Sequence, residues 1–321
     1  MPLLTIQIVG WNNEQVLTPG LKALAAIPKG EVEIRFIDNG STDNSVDLVK
    51  KMLPETDIVE LKTNTGFAYA HNVGFSQCTT EFVLVLNPDI EIQWEGLKKL
   101  LKAFEDPSVA AVQGKLLRQE KSANGEALLD SAGIMLSKAL NGIERGSYEE
   151  DRGQYEQQAD ILAVTGACGM YRMSALKTVD HGVRDGVFEI FDNAFFAYKE
   201  DVDLGWRLKR AGWTSLYLPI FVAHHSRSLG RRGFMNWGLS PKTIYTRMRS
   251  PRTRYSFRNW IWMMAKNMTF KQELKAELFI DARLATFFCL SLLYPPFFKV
   301  WLETLHGLPE MFRKRHHTLT K

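Results

Sequence analysis

Apolar and polar positions along the first 115 residues fall into two alternating rhythms. Continuous β-prone apolar runs occupy residues 5–9, 32–37, 58–61, 82–86 and 109–112. Between them apolar residues recur every three or four positions, which predicts helices over about residues 16–26, 45–52, 66–76 and 95–104. Strands that are apolar throughout must be buried on both faces, and strands separated by helices pair in parallel. The expectation is an α/β fold: a mostly parallel central sheet flanked by helices.

Ligands of such sheets bind beyond the carboxyl ends of the strands. The first strand is followed by Gly10-Trp11-Asn12-Asn13, the second by Asp38-Asn39-Gly40-Ser41-Thr42-Asp43 and the fourth by Asn87-Pro88-Asp89. The pattern thus gathers three polar turns along one edge. Residues 116–160 are polar and rich in Gly, Glu and Ser, and read as a loop. A strand is expected at 161–164, leading into Thr165-Gly166, and another at 215–218. Leu204, Leu208 and Ala211 recur at helical spacing, with Gly212 placed to end that helix.

Beyond about residue 226 the pattern changes. Residues 255–270 mix Trp260, Trp262, Met263 and Met264 with Arg258 and Lys266. An apolar run over 284–298 is too short to span a bilayer, and Pro295-Pro296 should kink or end its helix. The net charge of +4 hides an asymmetry: residues 231–321 carry 17 Lys/Arg against 5 Asp/Glu, while residues 1–230 carry 23 against 31. A basic, aromatic end on an acidic body points to an anionic surface, phospholipid or nucleic acid. No nucleic-acid-binding motif is present, which favours lipid. A helical bundle packed on the body explains the same composition.

Cys78, Cys168 and Cys289 are odd in number and far apart, matching no zinc motif and no disulfide framework; each is expected as a small buried hydrophobe in a reducing compartment. Met1-Pro2 leads directly into the first strand without a basic flank, so a cytoplasmic chain is expected, peripheral to the inner face of the plasma membrane if the basic end binds lipid.

Several carboxylates stand where chemistry needs them. Asp38 is either part of a turn and helix cap or an acceptor for a nucleotide base or ribose. Asp89, at the end of an apolar strand, needs solvent, a partner or a divalent cation, and an Asn-Pro-Asp turn is the plainer alternative. Glu200-Asp201-Val202-Asp203 puts three acids at a helix start. Capping explains one or two of them, and a carboxylate that takes a proton from a sugar hydroxyl explains the rest. His224-His225 follow by about 20 residues; a lone histidine pair is more often structural than metal-binding, but this one could fold back toward the acids and offer imidazole to a metal.

The stretches IQIVGWNN, FIDNGSTDNSVDLV, NTGFAYAHNVGF, VLVLNPDIEI, TGACGMYR, FFAYKEDVDLGWRLKRAGW and AHHSRSLG together resemble a family 2 glycosyltransferase of the GT-A fold, in its rhamnosyltransferase-like branch. The resemblance covers about residues 4–230. It implies a catalytic domain over 1–230, with a nucleotide-binding half (1–115) and an acceptor half (116–230), followed by a helical extension over 231–321. It implies donor contacts from Gly10, Trp11, Asn12, Asp38, Asn39, Gly66, Asn72 and Asn87. Asp89 and His224 would hold Mg2+ or Mn2+, Asp201 would be the general base with Glu200 and Asp203 beside it, and Gly166 and Trp206 would line the acceptor side. Gly10 stands where the family often has Thr, Asn87 replaces the first DXD acid, and the His motif is one residue short, which leaves His224 and His225 both open as the ligand.

The implied reaction is transfer, with inversion, of rhamnose from a dTDP or UDP donor to a saccharide acceptor, lipid-linked if the basic end meets a membrane. UDP-hexose and galactofuranose donors are the alternatives. A nucleotide-sugar-binding protein without turnover is a rival, and a nucleotidyltransferase is disfavoured by the lack of a phosphate-cradling Gly-rich loop.

Overall fold

The computed structural model describes residues 2–227 and 241–319. The chain begins β1 (Leu4–Gly10), α1 (Glu14–Ala25), β2 (Glu33–Asp38), α2 (Ser45–Met52), β3 (Asp57–Glu60), α3 (Phe67–Gln77), β4 (Phe82–Leu86), β5 (Ile90–Ile92) and α4 (Trp94–Leu100). It continues through β6 (Val109–Lys121), β7 (Ala127–Ser131), β8 (Ile134–Leu136), β9 (Gly142–Glu144), β10 (Ala159–Ile161) and β11 (Cys168–Arg172). Then come α5 (Met173–Thr178), a small hairpin of β12 (Val183–Arg184) and β13 (Val187–Phe188), α6 (Glu200–Arg210) and β14 (Thr214–His225). The remaining described residues form α7 (Pro241–Arg249), α8 (Pro251–Asn267), α9 (Phe270–Leu293) and α10 (Phe298–Leu319).

The main sheet runs β10-β14-β6-β11-β4-β1-β2-β3. Pairing is parallel from β4 through β1 and β2 to β3, as the alternation predicts. β11 is antiparallel to both β4 and β6, so the acceptor half of the sheet is mixed. Gly10 pairs with Asp38 and Ile8 with Leu86, which aligns the ends of β1, β2 and β4 on one edge. Two apolar clusters hold the sheet. Leu17, Leu21 and Leu97 pack on Ile6, Phe36 and Leu84 on one face, and Phe75, Leu176 and Leu204 pack on Val83, Val85 and Tyr171 on the other. Buried side chains of this size each contribute about 1.5–3 kcal/mol relative to exposure.

Three expectations are corrected. Residues 116–160 are not a loop: β6 runs to Lys121 and pairs with β7, and β8 pairs with β9. Leu129, Asp130, Ser131 and Ala132 are all buried there, polar and apolar alike, so no apolar rhythm marks the strands. The strand expected at 215–218 continues to His225 through Pro219, where register shifts between Tyr217 and Phe221 accommodate the missing N–H. Cys289 is exposed, unlike buried Cys168.

Pro295-Pro296 falls in a 3-10 turn between α9 and α10, as a proline pair dictates. A third apolar cluster joins Phe257, Trp260, Phe287 and Phe297 of the C-terminal helices to Ile134, Val202 and Trp206. The C-terminal helices thus share a core with the acceptor half. Ser228-Leu229-Gly230, the end of the last matching stretch, and the boundary expected at 230 lie outside the described residues. No described helix is long and apolar enough to cross a membrane.

Candidate active site

The edge beyond β1 and β2 is built by side chains that hold each other's loops. The Asp38 carboxylate, nearly buried, accepts from the Ser41 N–H at 3.1 Å. Asn12, with φ of 51°, accepts from the Thr42 N–H at 2.8 Å and donates its own N–H to the Ser41 hydroxyl at 2.9 Å. Trp11 stands half exposed above them. A Cβ on Gly10 would lie 2.4 Å from the Phe36 ring, so this strand end has no room for a side chain unless that ring moves. Gly66 starts α3 with φ of 87°, a left-handed conformation that favours glycine.

The second group lies at the end of β4. The Asn87 N–H donates to the Ala167 carbonyl at 2.8 Å, joining this turn to the start of β11. Asp89 Oδ1 is 3.2 Å from His225 Nε2, and His225 Nδ1 is 2.7 Å from Asp130 Oδ2. Asp130 is fully buried and also accepts from Arg227 Nε and Nη2, at 2.6 and 3.0 Å, with Arg118 Nη2 at 3.3 Å. Burial pushes the Asp130 carboxyl up, but the His225 hydrogen bond and the Arg227 charge outweigh it and hold it at about 2. Burial likewise opposes charge on His225, yet hydrogen bonds and charge from Asp130 and Asp89 raise it.

The third group is the start of α6. The Gly166 N–H donates to Asp201 Oδ2 at 3.0 Å, and Asp201 Oδ1 accepts from the Val202 N–H at 2.8 Å. Glu200 beside it is buried, and burial together with the Asp201 charge pushes its carboxyl up to about 8. Phe196, Tyr198 and Lys199 all have positive φ just before this point. Such backbone costs on the order of 1–3 kcal/mol per residue and persists only where its surroundings enforce it. The enforcement comes from α8: the Asn259 amide donates to the carbonyls of Phe195, Ala197 and Tyr198 at 2.8, 2.9 and 2.8 Å.

Glu144 bridges the second and third groups. Its carboxylate accepts from the Thr165 hydroxyl at 2.9 Å and from Ser131, the neighbours of Gly166 and Asp130 respectively. Burial pushes Glu144 up to about 7, with Arg227 opposing and Asp201 and Asp130 adding to the rise. Asp130, Glu144 and Asn259 carry no sequence motif, and Arg227 lies in the last recognised stretch without a role assigned to it. Only the pairing of β6 with β7 and of β8 with β9, and the docking of α8, bring them here.

Several expected site residues have other employment. Asp203 is fully buried, bonded to Arg207 and Lys266 at 2.9 Å each and to Asn267 at 2.8 Å, so it anchors α8 and does not face an acceptor. Trp206 is buried against the C-terminal helices. Asn72 is fully buried and pairs with the backbone of Phe191 at 2.7 and 2.9 Å. Asn39 ties down the 64–66 turn through Thr65 and Gly66. His224 and His225 are neighbours on a strand and therefore point to opposite faces. His225 meets Asp89, while His224 packs on Phe221. Elsewhere, ligand atoms of His181, Asp192 and Asp203 lie within 4.8 Å of one another, but Lys266 sits on both carboxylates, at 2.6 and 2.9 Å, where a cation would bind.

The family model described as Glycosyl transferase family 2 matches residues 5–180, more than half of the chain. The chain belongs to this family. The fold of this glycosyltransferase is GT-A. It is similar to Staphylococcus aureus TarS 1–349 in complex with UDP (TM-score 0.52, 19% identity, covering 89% of this chain and 72% of that one). It is also similar to GalNAc-T7 with UDP, GalNAc and Mn2+ (TM-score 0.56, 12% identity, 83% and 48%). Among curated relatives, the N-acetylglucosaminyl-diphospho-decaprenol L-rhamnosyltransferase of Mycobacterium tuberculosis is 27% identical over 250 residues, 70% of this chain and 77% of that protein. The poly-beta-1,6-N-acetyl-D-glucosamine synthase of Staphylococcus aureus is 23% identical over 245 residues, 75% of this chain and 51% of that protein. The family 2 glycosyltransferase described here thus carries its Asp89–His225 pair and its Asp201 at the ends of β4, β14 and the start of α6.

Proposed function

We propose that the chain is an inverting glycosyltransferase that moves L-rhamnose from a nucleoside diphosphate to a lipid-linked saccharide. The single observation that carries the mechanism is the fixing of Asp201 by the Gly166 N–H, two hydrogen-bonded steps from the Asn87-Pro88-Asp89 turn. The donor sugar and acceptor class follow the mycobacterial relative's name. A UDP-linked hexose donor is the second reading, prompted by the UDP in the TarS structure and the N-acetyl-D-glucosamine in the staphylococcal synthase's name.

Trp11, Asn12 and Asp38 form the side that receives the base and ribose. Asp201 takes the proton of the acceptor hydroxyl as its oxygen attacks the anomeric carbon. The new C–O bond forms opposite the departing diphosphate, and the configuration inverts. Glu200, kept protonated at neutral pH by burial and the neighbouring charge, leaves Asp201 as the proton acceptor.

The donor set of Asp89 and His225 suits a divalent cation. It offers one carboxylate oxygen and one imidazole nitrogen, with the second nitrogen of His225 anchored by Asp130 as metal-binding histidines are. When bound there, Mg2+ or Mn2+ supplies positive charge against the diphosphate leaving group.

The test is transfer by the full chain from a panel of dTDP- and UDP-sugars to a diphospholipid-linked N-acetylglucosamine. Rhamnosyl transfer with inverted anomeric configuration is expected. Transfer from UDP-hexoses alone would replace the sugar assignment, and donor binding without transfer to this acceptor would count against the reaction.

A further inference from the structure

The C-terminal helices bury one face on the body and leave another uncovered. Phe288, Leu292 and Leu293 near the end of α9, and Leu302 and Leu305 on α10, are each half or more exposed. Toward its start, α9 continues the same stripe through Leu278, Leu274 and Phe270 at four-residue spacing, all exposed. The Phe288 and Phe298 rings meet edge to face at 5.8 Å, which joins the two helices' apolar faces across the Pro295-Pro296 elbow. Contiguous exposed apolar surface of this kind marks an interaction site.

The surroundings say what covers it. Tyr245 of α7 stands exposed with its ring at 90° and 5.2 Å from Tyr294, so α7 borders the elbow. From residue 204 to 272 the sequence contains 14 Lys/Arg and no Asp/Glu. Arg249 on α7 and Lys299 on α10 are exposed beside the elbow. The basic flank also reaches the catalytic loop: the Arg252 guanidinium lies 5.9 Å from the Tyr198 ring, three residues before Asp201. A helical partner or second copy would need an unbroken seam. Here exposed Asp281 interrupts the stripe on α9, and the proline elbow changes the helix direction. Apolar side chains and aromatics flanked by exposed Arg249, Arg252 and Lys299, with Glu303 paired to Arg254 at 3.8 Å, instead fit the boundary between anionic headgroups and hydrocarbon.

We propose that the α9–α10 elbow is a membrane-docking surface, with Leu292, Leu293, Leu302 and Leu305 entering the acyl boundary and the α7–α8 cations meeting anionic phospholipid. This goes beyond the transfer reading and needs neither donor nor acceptor to be tested.

The experiment is flotation of the full chain with phosphatidylcholine vesicles, with and without phosphatidylglycerol. The wild type should float with the anionic vesicles and be released by salt. Leu292→Glu with Leu293→Glu should weaken binding about tenfold or more. Arg249→Glu and Lys299→Glu should each weaken it about fivefold. Lys29→Glu, on an exposed side chain of the nucleotide half, should leave it unchanged. Nucleotide binding by calorimetry should match the wild type in every variant, which separates lost docking from lost folding. A wild type that stays with the soluble fraction, or leucine variants that float equally, would overturn the proposal. So would a dimer in ultracentrifugation that the leucine variants dissociate, since a second copy would then cover the face.

Discussion

The Gly166 backbone N–H donates to Asp201 Oδ2 at 3.0 Å, and this one bond ties the start of α6 to the strand-end turn beside β4. The neighbouring Thr165 reaches Glu144 through its hydroxyl and Gln113 through its N–H, at 2.9 and 2.7 Å. Asp201 is therefore held by a rigid, largely buried frame that runs on through Ser131 to Asp130, His225 and Asp89. In the proposed reaction, fixing this carboxylate before substrate arrives lowers the entropic part of the barrier.

That frame contains a carboxyl group whose protonation follows pH. Burial raises Glu144 from 4.5 to about 7. Between these values the folded state holds a proton that the unfolded chain has released, so stability falls as pH rises and levels off above about 7. Unfolding free energies from urea titration should decline from about pH 5 to about pH 8, by up to about 3 kcal/mol from this group. Glu144→Gln should remove this share of the slope and leave the shares of Glu200 and His225; an unchanged pH slope in the variant would contradict the assignment.

The two histidines should separate cleanly. His225→Ala should abolish stimulation of donor binding by Mn2+, while His224→Ala should keep it. Asp130→Asn should lower cation affinity about 10–100-fold by releasing the His225 ring. Titration of Mn2+ against donor binding, with EDTA as the zero point, reads all three. Loss of the cation effect in His224→Ala alone would reverse the ligand assignment.

Asp203 should matter for folding and not for the proton transfer. Asp203→Ala leaves Lys266 and Arg207 as buried cations without their shared partner. Removing one member of a buried ion pair costs about 3–5 kcal/mol. Urea unfolding should show that loss, with the pH profile of transfer by the remaining folded protein unaltered. A shifted pH profile with normal stability would return Asp203 to the catalytic group.

Asn259 lies outside the family's matched segment, yet it holds the strained turn before Asp201. Asn259→Leu should lower kcat on the order of a hundredfold by displacing the carboxylate, with donor affinity retained. Steady-state kinetics beside calorimetry checks this. An unchanged kcat would show that α8 does not position the loop.

Much of the fold was legible because it obeys local rules. Residues 82–86 are apolar at every position and form β4; residues 45–52 keep a helical period and form α2. The convergence of Asp38 with the β4 turn followed from parallel pairing, and the register of Gly10 with Asp38 shows it. The acceptor half was less legible because its strands are specified by partners far away. Asp130 and Glu144 sit on short strands whose polar residues are buried by tertiary pairing, so no periodicity exposes them. Asn39, Asn72 and Asp203 lie inside the recognised stretches but bond to backbone or buried cations, a distinction that residue type does not carry. The choice between His224 and His225 depended on strand phase through the Pro219 bulge, which no local pattern sets.

Single-turnover transfer by Asp201→Asn, with donor affinity measured on the same preparation, tests the central claim most directly. The amide keeps the shape but cannot take the acceptor proton. Transfer should fall by about 10²–10⁴-fold, with donor affinity in the presence of Mn2+ unchanged. Transfer at the wild-type rate would contradict the account and place the base elsewhere.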